Sequence, residues 1–375
     1  MSRFIRAWMA TLTVCAVFGA SASAAQALPV GFWGAVPQAG LSEEQFQRLG
    51  SGGIEGIRLP IGWAYVQPHK NGEFDWSGVD DQIEKSSKAG IRVLPFLTAP
   101  PTWAVPAAKV PEAQGLTAPS RLPVSGAARA GWIAFVTAAV ARYGPAGSFW
   151  SQHAAVPKLP VRAWQIYNEP NFKYFVAHPN PVEYGKLVKI SYSALKAADP
   201  GAQVVLAGLF ARPKGSRDRK TGKHKSLNWY ASDFIEAMYK GNPGIKSKFN
   251  GVALHPYTYF ASELPEVIEE FRNFLAKNHD SAKGLWLTEL GWSSGPPSRG
   301  NRFAKGLSGQ ANQLKQAFTM LRAKAAKWRV KSVYWFSVDD FPGACNFCDH
   351  SGLFASGFKP KKSWYAYVKL TGGTP

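Results

Sequence analysis

Short runs of β-branched, aromatic and aliphatic residues alternate along this chain with longer segments whose apolar positions recur every three to four residues. The first kind predicts buried strands and the second amphipathic helices. Val30–Ala35 is the first such run, followed by Ser42-Glu43-Glu44-Gln45, a capping-box pattern opening a helix to about Leu49. A strand at Ile54–Pro60 precedes a helix at Ser77–Lys88 stopped by Gly90, and a third strand occupies Ile91–Leu97. Pro95 inside it cannot donate to a ladder, so the far end of this strand is expected to bulge or leave the sheet. Thr98–Ser125, rich in Pro and Ala without periodicity, predicts a long loop, and Ala127–Arg142 a helix closed by Tyr143-Gly144-Pro145.

The stretch Val161–Asn171, VRAWQIYNEPN, organises the rest. Its β-branched and aromatic half is a fourth strand, and Pro170 ends it where Asn168 and Glu169 begin. Helix Pro181–Ala198 and strand Gln203–Ala207 follow, then a helix at Leu227–Tyr239 and a sixth strand, Phe249–Leu254, running into His255-Pro256-Tyr257. Helix Leu264–Lys277 leads to strand Leu285–Thr288, whose end carries Glu289. Helix Gly309–Trp328, strand Lys331–Ser337 and a short helix Ser363–Leu370 complete the series. Eight strands alternating with eight helices predict a parallel sheet closed on itself, a single (β/α)8 TIM barrel with long loops after its strands.

The first segment departs from this alternation. Arg3 and Arg6 precede an apolar Ala7–Ala20, and Ala25-Gln26-Ala27 is an A-x-A cleavage site, which together read as a secretory signal peptide cut after Ala27. The alternative, an uncleaved membrane anchor, is disfavoured because the apolar core is shorter than the ~20 residues a span needs. The expectation is a secreted protein, without stable membrane insertion, whose domain runs over residues 28–375. Its formal charge of +20 loses two positive and no negative residue with the leader, leaving +18. Seven cations fall in one run: Arg212, Lys214, Arg217, Arg219, Lys220, Lys223 and Lys225. They form either a solvated loop or a patch attracting an anionic polysaccharide or cell wall. Nucleic acid is disfavoured, since no nucleic-acid motif is recognisable.

Cys15 leaves with the leader, so Cys345 and Cys348 remain as C-N-F-C. In an oxidising compartment they are expected to pair as a local disulfide. A zinc site would need two more ligands, and Asp349 and His350 lie too near in sequence to complete a tetrahedron comfortably. A redox role lacks the strand-then-helix context of thioredoxin-like CxxC motifs.

Glu169 and Glu289, each at the carboxyl end of a predicted strand, face one barrel mouth. Glycosidic cleavage needs such a pair: a protonated carboxyl to donate to the leaving oxygen and an ionised one to attack or to activate water. Each glutamate alone is more simply a surface ion-pair partner; two at equivalent strand ends make that reading hard to keep. Asn168-Glu169-Pro170, Thr288-Glu289-Leu290-Gly291-Trp292, Arg58 on the second strand, His255-Pro256-Tyr257 and Trp335 together resemble the retaining glycoside hydrolases of clan A, nearest to the family 5 and family 39 types, over essentially the whole mature chain. The resemblance implies that Glu169 is the acid/base and Glu289 the nucleophile of a double displacement. It implies that Asn168 bonds the sugar 2-hydroxyl, that Arg58 and Tyr257 orient Glu289, that His255 shapes the subsite and that Trp335 floors it. For His255 a hydrogen-bonded core position is an equal alternative.

Among the fourteen tryptophans, Trp33, Trp63, Trp103, Trp292 and Trp335 fall at or after strand ends, as does Tyr174, where rings could stack on sugars; Trp132, Trp229 and Trp328 read as core. The expectation is therefore a monomeric, cofactor- and metal-free glycosidase acting on an extracellular poly- or oligosaccharide. Its rivals are a non-catalytic polysaccharide- or wall-binding barrel and a transglycosylase built from the same residues.

Overall fold

Eight parallel strands close into a barrel: β1 (Trp33–Val36), β2 (Gly56–Gly62), β3 (Arg92–Thr98), β4 (Ala163–Asn168), β5 (Gln203–Phe210), β6 (Gly251–His255), β7 (Gly284–Leu290) and β8 (Val330–Phe336). Each pairs with its sequence neighbours, and β1 closes the ring on β8. The structure, a computed structural model, describes residues 28–110, 117–218, 220–343 and 345–375. The predicted leader Met1–Ala27 lies outside the described residues, as does Arg219 of the basic run. Among the described residues no helix is long and apolar enough to cross a membrane.

The helices that cover the barrel are α1 (Glu43–Ser51), α2 (Ser77–Lys88), α3 (Gly126–Tyr143), α4 (Pro181–Ala198), α5 (Ala231–Gly241), α6 (Leu264–Lys277), α7 (Gly306–Trp328) and α8 (Lys362–Thr371). The predicted box at Ser42 forms in full: its hydroxyl accepts from the Gln45 N–H and the Gln45 side chain accepts from the Ser42 N–H. Asn180 caps α4 in the same sense, accepting from Val182 and Glu183 ahead of Pro181 at the first turn. The expected helix from Leu227 begins only at Ala231, because the Trp229 N–H goes to the Asn171 carbonyl instead of into a helical turn. The long loop after β3 carries a small hairpin, Ala107–Lys109 with Thr117–Pro119, that its sequence does not advertise.

Pro95 stays in register with Leu59 along the full length of β2. On its other side, β3 pairs with β4 only at Phe96 and Leu97, beyond the proline that cannot donate. The expectation of a strand end leaving the ladder is thus reversed: the far end pairs on both sides and the near end on one.

One large apolar layer packs the outward faces of the strands against the helices, with Ile57, Trp164, Leu206, Leu254, Leu287 and Val333 among its members. A second cluster, Val36, Leu94, Val205, Ala253, Trp286 and Tyr334, comes from the alternate strand positions and fills the barrel interior. The strand alternation therefore decides, position by position, which side chains can reach a site on the barrel axis.

Candidate active site

Above the interior cluster the barrel turns polar. Arg58 of β2, fully buried, lies at the centre. Its Nε donates to Gln165 Oε1 at 2.7 Å, Nη1 to Glu289 Oε1 at 2.7 Å and Nη2 to Asn168 Oδ1 at 2.6 Å, and its guanidinium sits 4.0 Å from the centre of the Phe96 ring. Tyr257 donates to the other Glu289 oxygen at 2.9 Å. His255, also fully buried, places Nδ1 2.6 Å from Glu169 Oε1 and 3.5 Å from Glu289 Oε2, and Nε2 3.0 Å from Thr288 Oγ1. Glu169, His255 and Glu289 each offer a donor atom within 4.8 Å of the others. Such a triad has the makings of a cation site, but Arg58 already supplies the positive charge against Glu289.

Two departures from regular strand geometry bring these groups together. Tyr167 adopts φ 74° and Glu169 φ 40°, the left-handed region that costs a residue with a Cβ roughly 1–2 kcal/mol. The Tyr167 turn breaks the alternation of β4. Its ring joins the helix-facing core, with its hydroxyl donating to the Phe175 carbonyl, while Asn168 turns inward to Arg58. On β7, the pairing with β8 slips between Leu287↔Val333 and Leu290↔Trp335, a bulge that lets Thr288 and Glu289 both reach the interior network. Gly208 of β5 makes room for the histidine: a Cβ there would lie 1.9 Å from His255 Nε2 and 2.6 Å from Thr288 Oγ1.

Electrostatics separate the two carboxyls. Burial pushes both upward in pKa, and Glu169 goes well above the carboxylate range because the Glu289 charge adds to burial. For Glu289 the Arg58 charge and the hydrogen bonds from Tyr257 and Arg58 pull the other way. The shared proton accordingly belongs on Glu169. Burial, reinforced by the Arg58 charge, holds His255 well below its usual range, so it stands neutral between them.

Of the aromatic candidates, most are core. Trp335 is fully buried between Trp292 and Phe318, its Nε1 donating to the Ser351 carbonyl, and it does not floor a subsite. The alternation of β8 explains this: Val333 and Trp335 face the helices, while Tyr334 and Phe336 face the barrel. Trp33, Trp63 and Trp292 are buried as well, Trp292 donating to the carbonyls of Thr258 and Tyr259. Trp103 is half-buried, edge-on to Trp63 and bonded to the Gln67 carbonyl. Trp132 and Trp328 are core as expected, but Trp229 is a half-buried loop residue stacked on His224.

The wall beside Tyr257 is instead built largely of phenylalanines at positions the sequence did not mark, Phe210, Phe336 and Phe347. Phe336 stacks with Phe347 at 5.9 Å, and Phe347 meets Tyr257 edge-on at 5.4 Å. On the other side Phe210 contacts Tyr257 at 5.9 Å and stacks on Phe172, which touches the exposed Tyr174. Phe347 lies between Cys345 and Cys348, whose Cα atoms are 5.0 Å apart, so the C-N-F-C loop braces this wall. Asp340 forms a buried ion pair with Lys361 at 2.7 Å. Gln165 was also missed, and Thr288 was quoted in its motif without a role, although each is a polar residue inside an apolar strand, a signal for an inward-facing network.

A closed parallel barrel with paired, differently charged carboxyls at the carboxyl ends of its strands has the layout of a glycoside-hydrolase core. Residues 141–367 match the model of the glycosyl hydrolase catalytic core, and the chain belongs to that family. No curated protein matches it. Among solved structures, a family 39 glycoside hydrolase from the gut symbiont Bacteroides cellulosilyticus WH2 superposes with TM-score 0.64 at 20% identity, over 92% of this chain and 64% of that one. A monomeric β-xylosidase from Caulobacter crescentus CB15 gives TM-score 0.61 at 18% identity over 92% and 69%. A GH5_18 protein from Bifidobacterium longum gives 0.56 at 12% over 88% and 72%. The chain thus spans less than two thirds of the family 39 structure, and these likenesses speak to the fold, which resembles that of clan A glycosidases.

Proposed function

We propose that this protein is a secreted, retaining O-glycosidase acting on an extracellular poly- or oligosaccharide without a cofactor. Glu289 serves as nucleophile and Glu169 as acid/base. The observation that carries the reading is the pair itself: a Glu169 oxygen and a Glu289 oxygen lie within 4.8 Å, with only Glu289 bound to a guanidinium. Retaining enzymes hold their carboxyls about 5–5.5 Å apart, whereas inverting ones leave about 6.5–9.5 Å for a water.

In this mechanism Glu289, kept anionic by Arg58 and Tyr257, attacks the anomeric carbon while Glu169 protonates the departing oxygen. Glu169 then takes a proton from the water that releases the sugar. Asn168 is fixed through Oδ1 by Arg58, which leaves its amide N–H groups as donors for the sugar 2-hydroxyl. Phe336, Phe347 and Phe210 wall the sugar in place of Trp335. Oxidation of Cys345 and Cys348 to a disulfide holds Phe347 against Tyr257.

The test is product release from a panel of neutral and acidic polysaccharides and aryl glycosides, with the anomer of the first-formed product read by NMR. Retention by the wild type, with turnover reduced by several orders of magnitude in both Glu289→Ala and Glu169→Ala, is expected. Inversion, or near-normal turnover in either variant, overturns the assignment; transfer to added sugar instead of water identifies a transglycosylase.

A further inference from the structure

Two cavities of about 830 and 300 Å³ lie away from the carboxylates, at the amino-terminal ends of the strands. They share Pro29 and Lys331, so they adjoin, and no acidic residue lines either one. The larger is bordered by Arg322, Arg329 and Lys331, the smaller by Arg92, Arg162 and Lys331. Arg162 is 3.3 Å from Asp199, but among the described residues no carboxylate pairs with Arg92, Arg329 or Lys331.

Cations gather at helix C-termini for the sake of the helix dipole, and this end of a (β/α)8 barrel holds all of its helix C-termini. That accounts for Arg329, which caps α7, but not for Arg92 and Lys331, which lie on strands β3 and β8, nor for Arg162, which immediately precedes β4. The smaller cavity is lined in part by the edges of Trp286 and Tyr334, both otherwise buried. Its volume suits a ligand of monosaccharide size, and the larger cavity leaves room for a continuing chain.

We propose that the amino-terminal mouth of the barrel is a second carbohydrate site, for an acidic sugar unit bearing a carboxylate or phosphate. Arg92 and Lys331 pair with its charge, and the edges of Trp286 and Tyr334 that reach the cavity border the apolar side of the ring. The site anchors an acidic glycan on the face opposite Glu169 and Glu289, and it stands whether or not those residues cleave the same polymer.

The basic loop is the built-in control. Arg212 pairs with Glu266 and Glu270, Arg217 with Asp233 and Lys225 with Asp218, so this run is partly neutralised, while Lys220 and Lys223 remain exposed. Binding is measured by calorimetry with trigalacturonate, mannose 6-phosphate, neutral galactotriose and oligothymidylate. Arg92→Gln/Lys331→Gln is compared with Lys220→Gln/Lys223→Gln, which removes the same charge.

At least one acidic sugar is expected to bind saturably, galactotriose not at all. The mouth variant is expected to lose at least tenfold in affinity and the loop variant less than twofold. Whichever acidic sugar binds identifies the charge source as carboxylate or phosphate. Equal losses in the two variants, no binding of either acidic sugar, or oligothymidylate binding as tightly with the same dependence on Arg92 and Lys331 overturns the proposal. Should the mouth variant fail to fold, acetylation of Lys331 in the wild type decides: a bound acidic sugar shields it, and unchanged labelling refutes the site.

Discussion

Replacing Arg58 by methionine would remove the one positive charge inside the barrel network while keeping an unbranched apolar stem of similar bulk. Three acceptors lose their donor at once: Gln165 Oε1, Asn168 Oδ1 and Glu289 Oε1, all within 2.7 Å of the guanidinium. Breaking a buried ion pair from one side costs about 3–5 kcal/mol, because the surviving charge is left in a low-dielectric site. At about 2–4 °C per kcal/mol, the melting temperature should fall by roughly 6–20 °C.

The pH dependence makes the argument specific. Burial already raises the Glu289 pKa and Arg58 is the largest influence lowering it, so in Arg58→Met the folded-state pKa climbs further above the unfolded value. A carboxyl whose folded pKa is raised contributes its stability below the unfolded pKa and loses it as pH rises through the folded one. The deficit of Arg58→Met should therefore be greatest near pH 7 and shrink toward pH 4. Urea denaturation of wild type and variant at pH 4, 5.5 and 7 measures this. A deficit below about 1 kcal/mol, or one that is flat across the range, would show that Arg58 is not the counter-ion of a charged Glu289.

Glu169→Gln keeps the shape of the acid and removes its titration. The wild type loses stability as pH rises through the raised Glu169 pKa, so the variant should match it near pH 4 and exceed it at pH 7 in the same denaturation assay, while turnover collapses. Gly208→Ala thrusts a methyl group into the His255 ring and should cost both stability and at least tenfold in kcat/KM; wild-type kinetics would mean that His255 is not seated as described. Trp335→Phe should destabilise the protein by roughly 1–3 kcal/mol with KM unchanged, whereas Phe336→Ala should raise KM; the opposite split would restore Trp335 to the cleft.

The barrel was legible in the linear sequence because each strand and helix carries its own period, and because Pro170, Gly90 and the Ser42 box mark ends by local stereochemistry alone. The carboxyl pair was legible too, since Asn168-Glu169-Pro170 and Thr288-Glu289 fall at the ends of strands whose parallel closure forces them to one mouth. Facing was not legible. A one-residue difference on β8 exchanges Trp335 for Phe336 at the cleft, and no local preference records it, because inward and outward positions of a barrel strand are both buried and both apolar. The left-handed turn at Tyr167 and the slip between β7 and β8 re-aim Asn168 and Glu289 against the plain alternation, and both are held only by neighbouring strands. Sequence thus determined the elements, their order and the identity of the carboxyls. The packing of eight strands around Arg58 decided which aromatic rings meet Tyr257, which carboxyl is pushed further up in pKa, and that part of the basic loop is taken up by ion pairs while two strand cations without carboxylate partners, Arg92 and Lys331, lie at the opposite mouth.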